Sequence, residues 1–512
     1  MRLPRILVGI VVAGAAVGAA AAQGAVSGPV PASGPATPFA PGCNGAPQSG
    51  TIYFNTEPEA MVDANPVNPN NLVGTHQQDR ISTGGANGLG TSVSTDGGQT
   101  WQRLVVGQLP RFSRCSGGTA ANGGDYERAT DPWVSFGPDG DAYQISVSFN
   151  DTRDLANAVI VSESKDGGFT WGPNRVLIRD QAPTAFNDKE SITADYTNAN
   201  YVYAVWDRLI YPNERSKGQS FEHAAAFRGP IMFSRSTDGG TNWQTRQIYD
   251  PGQNDQTIGN QIVVLPNGEL VNGFNLLRYD KKSVDGQKIT GGAVAVMWST
   301  DKGATWSGPR IVSALQAADV RDPRDGALVR TGDIIPEFAS DERSGTKNVY
   351  AVWQDVRFST NGQLNAIAFS KSTDGGRTWS MPRGINTVRT TQAFTPMVRV
   401  DDQGNIGVTY YDFRFDTTAS PTLDTDHWFL RSTDGGNTWS EQRVTPTSFD
   451  MRTAPYARGY FVGDYAGLTA EGTRFTTFFT AAIPPYTDAR ASAGSPSDAQ
   501  NRTEVLAANI TP

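Results

Sequence analysis

Short runs of alternating apolar and polar residues recur along the chain, and each reads as a half-buried β-strand. Tyr201-Val-Tyr-Ala-Val-Trp206, Val349-Tyr-Ala-Val-Trp353 and Ile406-Gly-Val-Thr-Tyr-Tyr411 are built from the β-branched and aromatic side chains that suit a pleated surface. Most such runs follow a strand that ends in a Gly/Asn/Asp turn, as at Pro138-Asp-Gly-Asp141, Pro266-Asn-Gly-Glu269 and Asp402-Gln-Gly-Asn405. A third strand comes next, such as Ile367-Ala-Phe-Ser-Lys-Ser372, and a fixed motif closes it.

That motif, Ser-x-Asp-x-Gly-x-Thr-Trp, occurs six times, centred on Asp96, Asp166, Asp238, Asp301, Asp374 and Asp434. The steps between these aspartates are 70, 72, 63, 73 and 60 residues, the near-constant period of a repeat architecture. In the copy Ser372-Thr-Asp374-Gly-Gly376-Arg-Thr378-Trp379, the carboxylate is suited to accept backbone N–H groups of a tight turn. Glycine supplies the positive φ, and Trp379 offers an apolar face to a neighbouring sheet. Asn242 replaces Thr in the third copy, and Lys302 replaces the first Gly in the fourth. The motif aspartates therefore read as structural.

Each unit is a four-stranded antiparallel sheet, here written A to D, with the motif at the C–D turn. Such units assemble as an all-β propeller. After the sixth motif, Tyr465-Ala-Gly-Leu468, Phe475-Thr-Thr-Phe-Phe-Thr480 and Thr503-Glu-Val-Leu-Ala507 continue the pattern without a motif. The missing D strand is expected from Thr51-Ile-Tyr-Phe-Asn55, which would latch the ring and remove open edges. This count favours seven blades, with six as the alternative, in one domain spanning residues 50–512.

Arg2, Arg5 and the apolar run Ile6 to Ala22 read as a signal peptide, residues 1–22, with a membrane anchor as the alternative. Residues 23–49, mostly Pro, Ala, Gly and Ser, read as a linker. In an exported chain Cys43 and Cys115 are expected to pair, the other reading being two free thiols. The chain is thus expected to be secreted, extracellular or periplasmic, with no membrane span after cleavage. A net charge of -8 argues against nucleic acid. His76, His223 and His427 follow no zinc-ligand spacing, and there is no phosphate-binding glycine loop or G-x-S-x-G elbow.

Strand parity puts all six motifs on one face of the ring and the varied B–C loops, with the D–A loops, on the other, where function concentrates. There the B strands end in Asp79-Arg80, Asp151-Thr-Arg153, Asp207-Arg208, Arg278-Tyr-Asp280, Asp355-Val-Arg357 and Asp412-Phe-Arg414. The A strands start with Glu59, Asp131, Glu190, Glu337 and Asp464. Two readings follow: a belt of Asp–Arg pairs between blades, or a polar bowl of converging arginines suited to a carboxylate. Trp206, Trp353, Tyr411 and Trp428 lie close by in sequence and could stack on sugar rings, although core packing suits most of them.

The six motifs resemble the Asp boxes, or BNR repeats, of the sialidase (neuraminidase) superfamily, from Asp96 to Trp439. The resemblance implies a propeller and a site with three arginines for the substrate carboxylate, a Tyr nucleophile activated by a Glu, and an Asp acid/base. Asp464-Tyr465-Ala-Gly-Leu468 resembles the family's Tyr segment, which makes Tyr465 the candidate nucleophile, Glu337 its activating carboxylate and Asp79 the acid. Arg80, Arg208, Arg357 and Arg414 are candidates for substrate binding, with Arg458 behind them. The family's first arginine has no counterpart in Glu57-Pro-Glu-Ala-Met-Val-Asp63. Three functions are compatible: a glycoside hydrolase acting on sialosides or other acidic glycans with no required cofactor, a non-catalytic propeller binding a glycan or protein, or a scaffold whose A-strand carboxylates hold a structural Ca²⁺.

Overall fold

The computed structural model describes residues 24–152, 154–212, 227–279, 289–483 and 501–512. The expected signal peptide, residues 1–22, lies outside the described residues, as do Arg153, His223 and Asp280. The fold is all-β and propeller-like, with four-stranded antiparallel sheets following one another along the chain. A typical sheet runs Ala185–Ala194, Val202–Ile210, Ile231–Ser236 and Gln244–Tyr249, each strand paired with the next. The sheet beginning at Met61–Ala64 joins the one beginning at Arg128–Phe136 through a single bridge, Ala86 to Ala129. Among the described residues no helix is long and apolar enough to cross a membrane.

The first strands of the sheets are neighbours in turn: Met61–Ala64, Arg128–Phe136, Ala185–Ala194, Asp255–Val264, Glu337–Ser340, Ala393–Val400 and Gly467–Glu471. The last lies against the first, so these inner strands surround a common axis. Four of them carry a bulge at one level. The ladder slips between Thr130 and Trp133, Asp188 and Ser191, Ile258 and Gln261, and Phe394 and Met397. Asp131, Lys189, Gly259 and Thr395 occupy these bulges with φ of 53°, 50°, 69° and 49°. A bulge re-aims a side chain, and here the non-glycine ones cost about 1–3 kcal/mol each in backbone strain.

The motif turns are alike in hydrogen bonding. Asp374 accepts from Ser372 Oγ (2.8 Å), the N–H groups of Arg377 (3.0 Å) and Thr378 (2.9 Å), and Thr378 Oγ1 (2.6 Å). Ser372 Oγ in turn accepts the Gly376 N–H (2.8 Å), and Trp379 Nε1 donates to the Gly376 carbonyl (3.0 Å). The two departures are compensated. Asn242 Nδ2 donates to Asp238 as the threonine hydroxyl does elsewhere (2.7 Å). Lys302 takes the glycine's φ of 55° and reaches Asp195 (2.7 Å) and Thr197 (2.8 Å) on the preceding sheet. Motif tryptophans pack on a neighbouring sheet: Trp306 on Phe233 (5.4 Å), Trp439 on Phe369 (5.2 Å) and Trp101 on Phe478 (4.9 Å).

Two expectations are corrected at the N-terminus. The strand that completes the last sheet is Val30–Pro31, paired with Leu506 and Ala507, and not Thr51–Asn55. Residues 24–49 are accordingly no free linker. Ala32, Ser33 and Phe39 are buried, Ser33 Oγ accepts the Val505 N–H (3.0 Å), and Ser92 Oγ donates to the Ala32 carbonyl (2.7 Å). Pro and Gly deny this segment a core of its own, yet its backbone satisfies an open sheet edge. Cys43 and Cys115 are joined as a disulfide, with Cα atoms 4.8 Å apart, and fasten the same segment further along.

Candidate functional site

On the face of the B–C and D–A loops a cavity of about 390 Å³ opens at the ring axis. Bulged inner strands deliver Asp131, Asp188 and Lys189 to it, and the end of Leu72–Arg80 delivers Arg80. Two D–A segments complete it. Leu328–Arg330 pairs in parallel with Tyr460–Phe461, which brings Arg330 and Asp464 together across the axis. Gly332 permits the approach: its φ is 60°, and a Cβ there would lie 2.2 Å from the Asp464 carbonyl oxygen.

Lys189 is the electrostatic centre. Its Nζ lies 2.9 Å from Asp464 and 3.3 Å from both Glu59 and Asp131. Burial alone would weaken the ammonium, but these carboxylates outweigh it and hold its pKa well above the usual lysine range. Arg330 makes a two-pronged pair with Asp464 and stacks on the Phe461 ring at 4.4 Å. Arg80 lies 4.8 Å from the same ring and donates to Gln77 Oε1 (2.9 Å). Burial would raise Asp464, yet Arg330 and Lys189 keep its carboxyl well below the ordinary range. The expected ring of A-strand carboxylates thus exists in Glu59, Asp131 and Asp464, with a lysine ammonium among them. Among the described residues no group of three or more His, Cys, Asp or Glu is arranged to hold a metal ion.

Two carboxyl groups remain partly open to the cavity. Burial and the Asp131 charge push Asp188 up to about 7, and its proton bridges to the Asp131 carboxylate. Burial, with Asp319 and Asp464 nearby, pushes Asp333 up to about 6.

The expected site residues separate. Tyr465 is buried beside the lysine cluster, but its hydroxyl donates to the Pro132 carbonyl (3.1 Å) and its ring packs on Trp133 (5.4 Å). Burial, then Glu59 and Asp131, push its phenol well above the usual range, which opposes a nucleophilic role. Glu337 does not line the cavity; it lies along the axis toward Arg399, and burial raises it to about 8. Asp79 is buried and accepts from the Asn55 N–H (2.8 Å), Thr37 (2.8 Å) and Asn87 (3.1 Å), so it serves the fold as a hydrogen-bond node. Of the four arginines only Arg80 reaches the cavity. Arg208 is bound to Asp180, Arg357 to Asp355 (2.6 Å), and Arg414 to Asp412 (2.6 Å) and Glu441 (2.7 Å). The Asp–Arg signal is therefore mainly pairing within sheets, with Asp207 reaching the next sheet through the Gly259 N–H (2.9 Å).

Lys189, Arg330, Asp188 and Asp333 were not singled out from the sequence. The charged triplet Asp188-Lys189-Glu190 at an A-strand start was a usable signal for two of them. Arg330 and Asp333 sit in a long D–A segment with no repeat counterpart, and nothing in the sequence aligned them with the axis.

Two family models match the chain: the BNR repeat-like domain over residues 230–454 and the BNR/Asp-box repeat over residues 92–103. No curated protein matches the sequence. Among solved structures the chain is similar to the Hadza microbial sialidase Hz136, with 17% identity, 86% of this chain and 73% of that one covered, and a TM-score of 0.45. It is also similar to a variant of the α-L-arabinofuranosidase Arb93A from Fusarium graminearum (11% identity, 94% and 97% covered, TM-score 0.43). A third is an ulvan lyase of a new polysaccharide lyase family (11% identity, 78% and 81% covered, TM-score 0.44). The family matches and the recurring Asp-box turns support a sialidase-like BNR/Asp-box repeat superfamily for this chain.

Proposed function

We propose that the protein acts on a glycan in the 390 Å³ cavity, cleaving a glycosidic bond with Asp188 as proton donor and Asp333 as the base that activates water. The observation that carries this reading is the presence, in one loop-face cavity, of two partly open carboxyl groups, Asp188 against the Asp131 carboxylate and Asp333 near Asp464, both held above the ordinary carboxyl range. The Asp131–Lys189–Asp464–Arg330 network would fix the geometry of both. A ring of seven blades, latched by Val30–Pro31, is the architecture this reading assumes, and it accords with the circle of inner strands. Export is part of the same proposal, supported by the apolar run that ends at Ala22 and by the disulfide.

A sialoside is the less favoured substrate, because Arg208, Arg357 and Arg414 are held in separate ion pairs. Non-catalytic glycan binding is the second reading, favoured by the fixed Lys189–Asp464 and Arg330–Asp464 pairs at the cavity. The test is release of reducing ends from a panel of polysaccharides and aryl glycosides, α-sialosides included. Activity that falls about 10²- to 10⁴-fold in both Asp188→Asn and Asp333→Asn supports catalysis, the range for loss of a positioned acid or base. Turnover unchanged in both variants, or no turnover of any glycan, ends it.

A further inference from the structure

We propose that the opposite end of the axis is a second binding site, and that it takes a linear polyamine, a chain of ammonium groups joined by methylenes. The site is separate from the glycan cavity and shares no lining residue with it.

On the face of the motif turns the inner strands open into a cavity of about 530 Å³. Asp63, Glu342, Asp402 and Glu471 line it, and among the described residues none of the four has a cation within salt-bridge distance. Asp63 accepts the N–H groups of Phe136 (2.8 Å) and Ala64 (2.9 Å), which fix its carboxylate without neutralising it. The charges of Asp63 and Asp402 both bear on Glu342 and on Glu471, so the four carboxyl groups share one space. One uncommitted guanidinium stands against them. Arg399 lines the cavity, its Nη1 donates to the Val398 carbonyl (2.9 Å), and it pairs with no carboxylate. The other charges of the wall are matched, Arg343 to Asp341 (2.8 Å) and Asp401 to Arg431 (3.4 Å). The balance leaves the mouth negative, and a cleft lined by one sign of charge concentrates ions of the other.

The floor of the cavity points the same way. Glu337 is 2% exposed, and neither of its carboxyl oxygens has a hydrogen-bond partner. It opens the strand whose next three residues, Phe338, Ala339 and Ser340, line the cavity. Arg399 and Gln261, the groups that act on its carboxyl, line the cavity as well. A buried polar group without a partner calls for one. The form of the ligand follows from spacing. Among the described residues no three such side chains are close enough to hold a metal ion, so one small cation does not satisfy these carboxyl groups. Charges set apart by methylenes can reach them in turn. Val263, Val400 and Ala470 give the wall partly exposed apolar surface for the methylenes.

The test is calorimetric titration of the intact protein with spermidine at low ionic strength. Saturable binding is expected, and an equal concentration of Mg²⁺ should not displace it. The double variant Glu342→Gln/Asp402→Asn alters two exposed side chains and should weaken affinity about tenfold or more. Glu337→Gln should weaken it too, since an amide does not pair with an ammonium as a carboxylate does. Asp139→Asn, at an exposed carboxylate of the same face outside the cavity wall, should leave affinity unchanged. Absence of saturable binding overturns the proposal, and so does full affinity in the double variant or in Glu337→Gln. Displacement by Mg²⁺, or equal weakening in Asp139→Asn, also overturns it, because either outcome reduces the effect to diffuse attraction by an acidic surface. None of these results touches the glycan cavity, which stands or falls on Asp188 and Asp333.

Discussion

Replacing Lys189 with methionine would keep the length and most of the volume of the side chain while removing the cation that Glu59, Asp131 and Asp464 share at 2.9–3.3 Å. Leaving buried charge uncompensated in this way costs about 3–5 kcal/mol. Arg330 still serves Asp464, so the lower end, about 3 kcal/mol, is expected at pH 8. The pH dependence has a definite sign. In the wild type Asp131 and Asp464 have folded pKa values below their unfolded ones, so their contribution is present above about pH 4 and is lost as pH falls through the folded values. Without Lys189 the Asp131 carboxyl is left to burial and like charges, and its folded pKa rises. Protons then replace the missing ammonium as the solution is acidified, and the difference between the two proteins shrinks from pH 8 to pH 5. Equilibrium urea unfolding followed by tryptophan fluorescence at both pH values measures it. A loss below about 1 kcal/mol at pH 8, inside the range of an exposed pair, or an equal loss at both pH values, would refute the view that Lys189 neutralises a buried carboxylate cluster.

Further outcomes are expected. Activity should follow a bell with its optimum between about pH 6 and pH 7, bounded by Asp333 and Asp188, and a flat profile from pH 5 to pH 9 contradicts their roles. Asp301→Ala should cost about 1–2 kcal/mol through lost turn hydrogen bonds. Because the Thr305 hydroxyl helps hold Asp301 down at about 2, that contribution should disappear between pH 4 and pH 2, as seen in acid unfolding curves of variant and wild type. Cys115→Ser opens a disulfide whose cysteines are 72 residues apart and should destabilise by about 4 kcal/mol in denaturant titrations. Gly332→Ala should cost at least about 2 kcal/mol, from the positive φ and the clash with Asp464, and a silent substitution would mean that the two D–A segments are not held in contact.

Much of the fold was legible because its signals are local. The β-branched and aromatic runs Val349–Asp355 and Ile406–Asp412 mark strands, although both prove buried along their whole length and not half-buried, and the motif around Asp374 forms its turn from hydrogen bonds within five residues. Even the departures at Asn242 and Lys302 kept a function that chemistry explains. The latch was misplaced since Val30–Pro31 is a two-residue strand in a Pro/Gly-rich segment, and only an open edge 475 residues away makes it one. The Asp–Arg repeats were legible as pairs, but Asp355–Arg357 and Asp412–Arg414 close on themselves at short range and never reach the axis.

By itself the sequence determined a repeated antiparallel unit, the structural duty of its motif aspartates and the face on which varied loops gather, since each depends on neighbours along the chain. Tertiary structure alone decided which charges meet. Lys189, Arg330 and Asp464 come from segments more than a hundred residues apart, brought together by strand bulges and by two crossing loops. Ion pairing at 3 Å depends on how the sheets sit around their shared axis, and no periodicity in the chain records that distance.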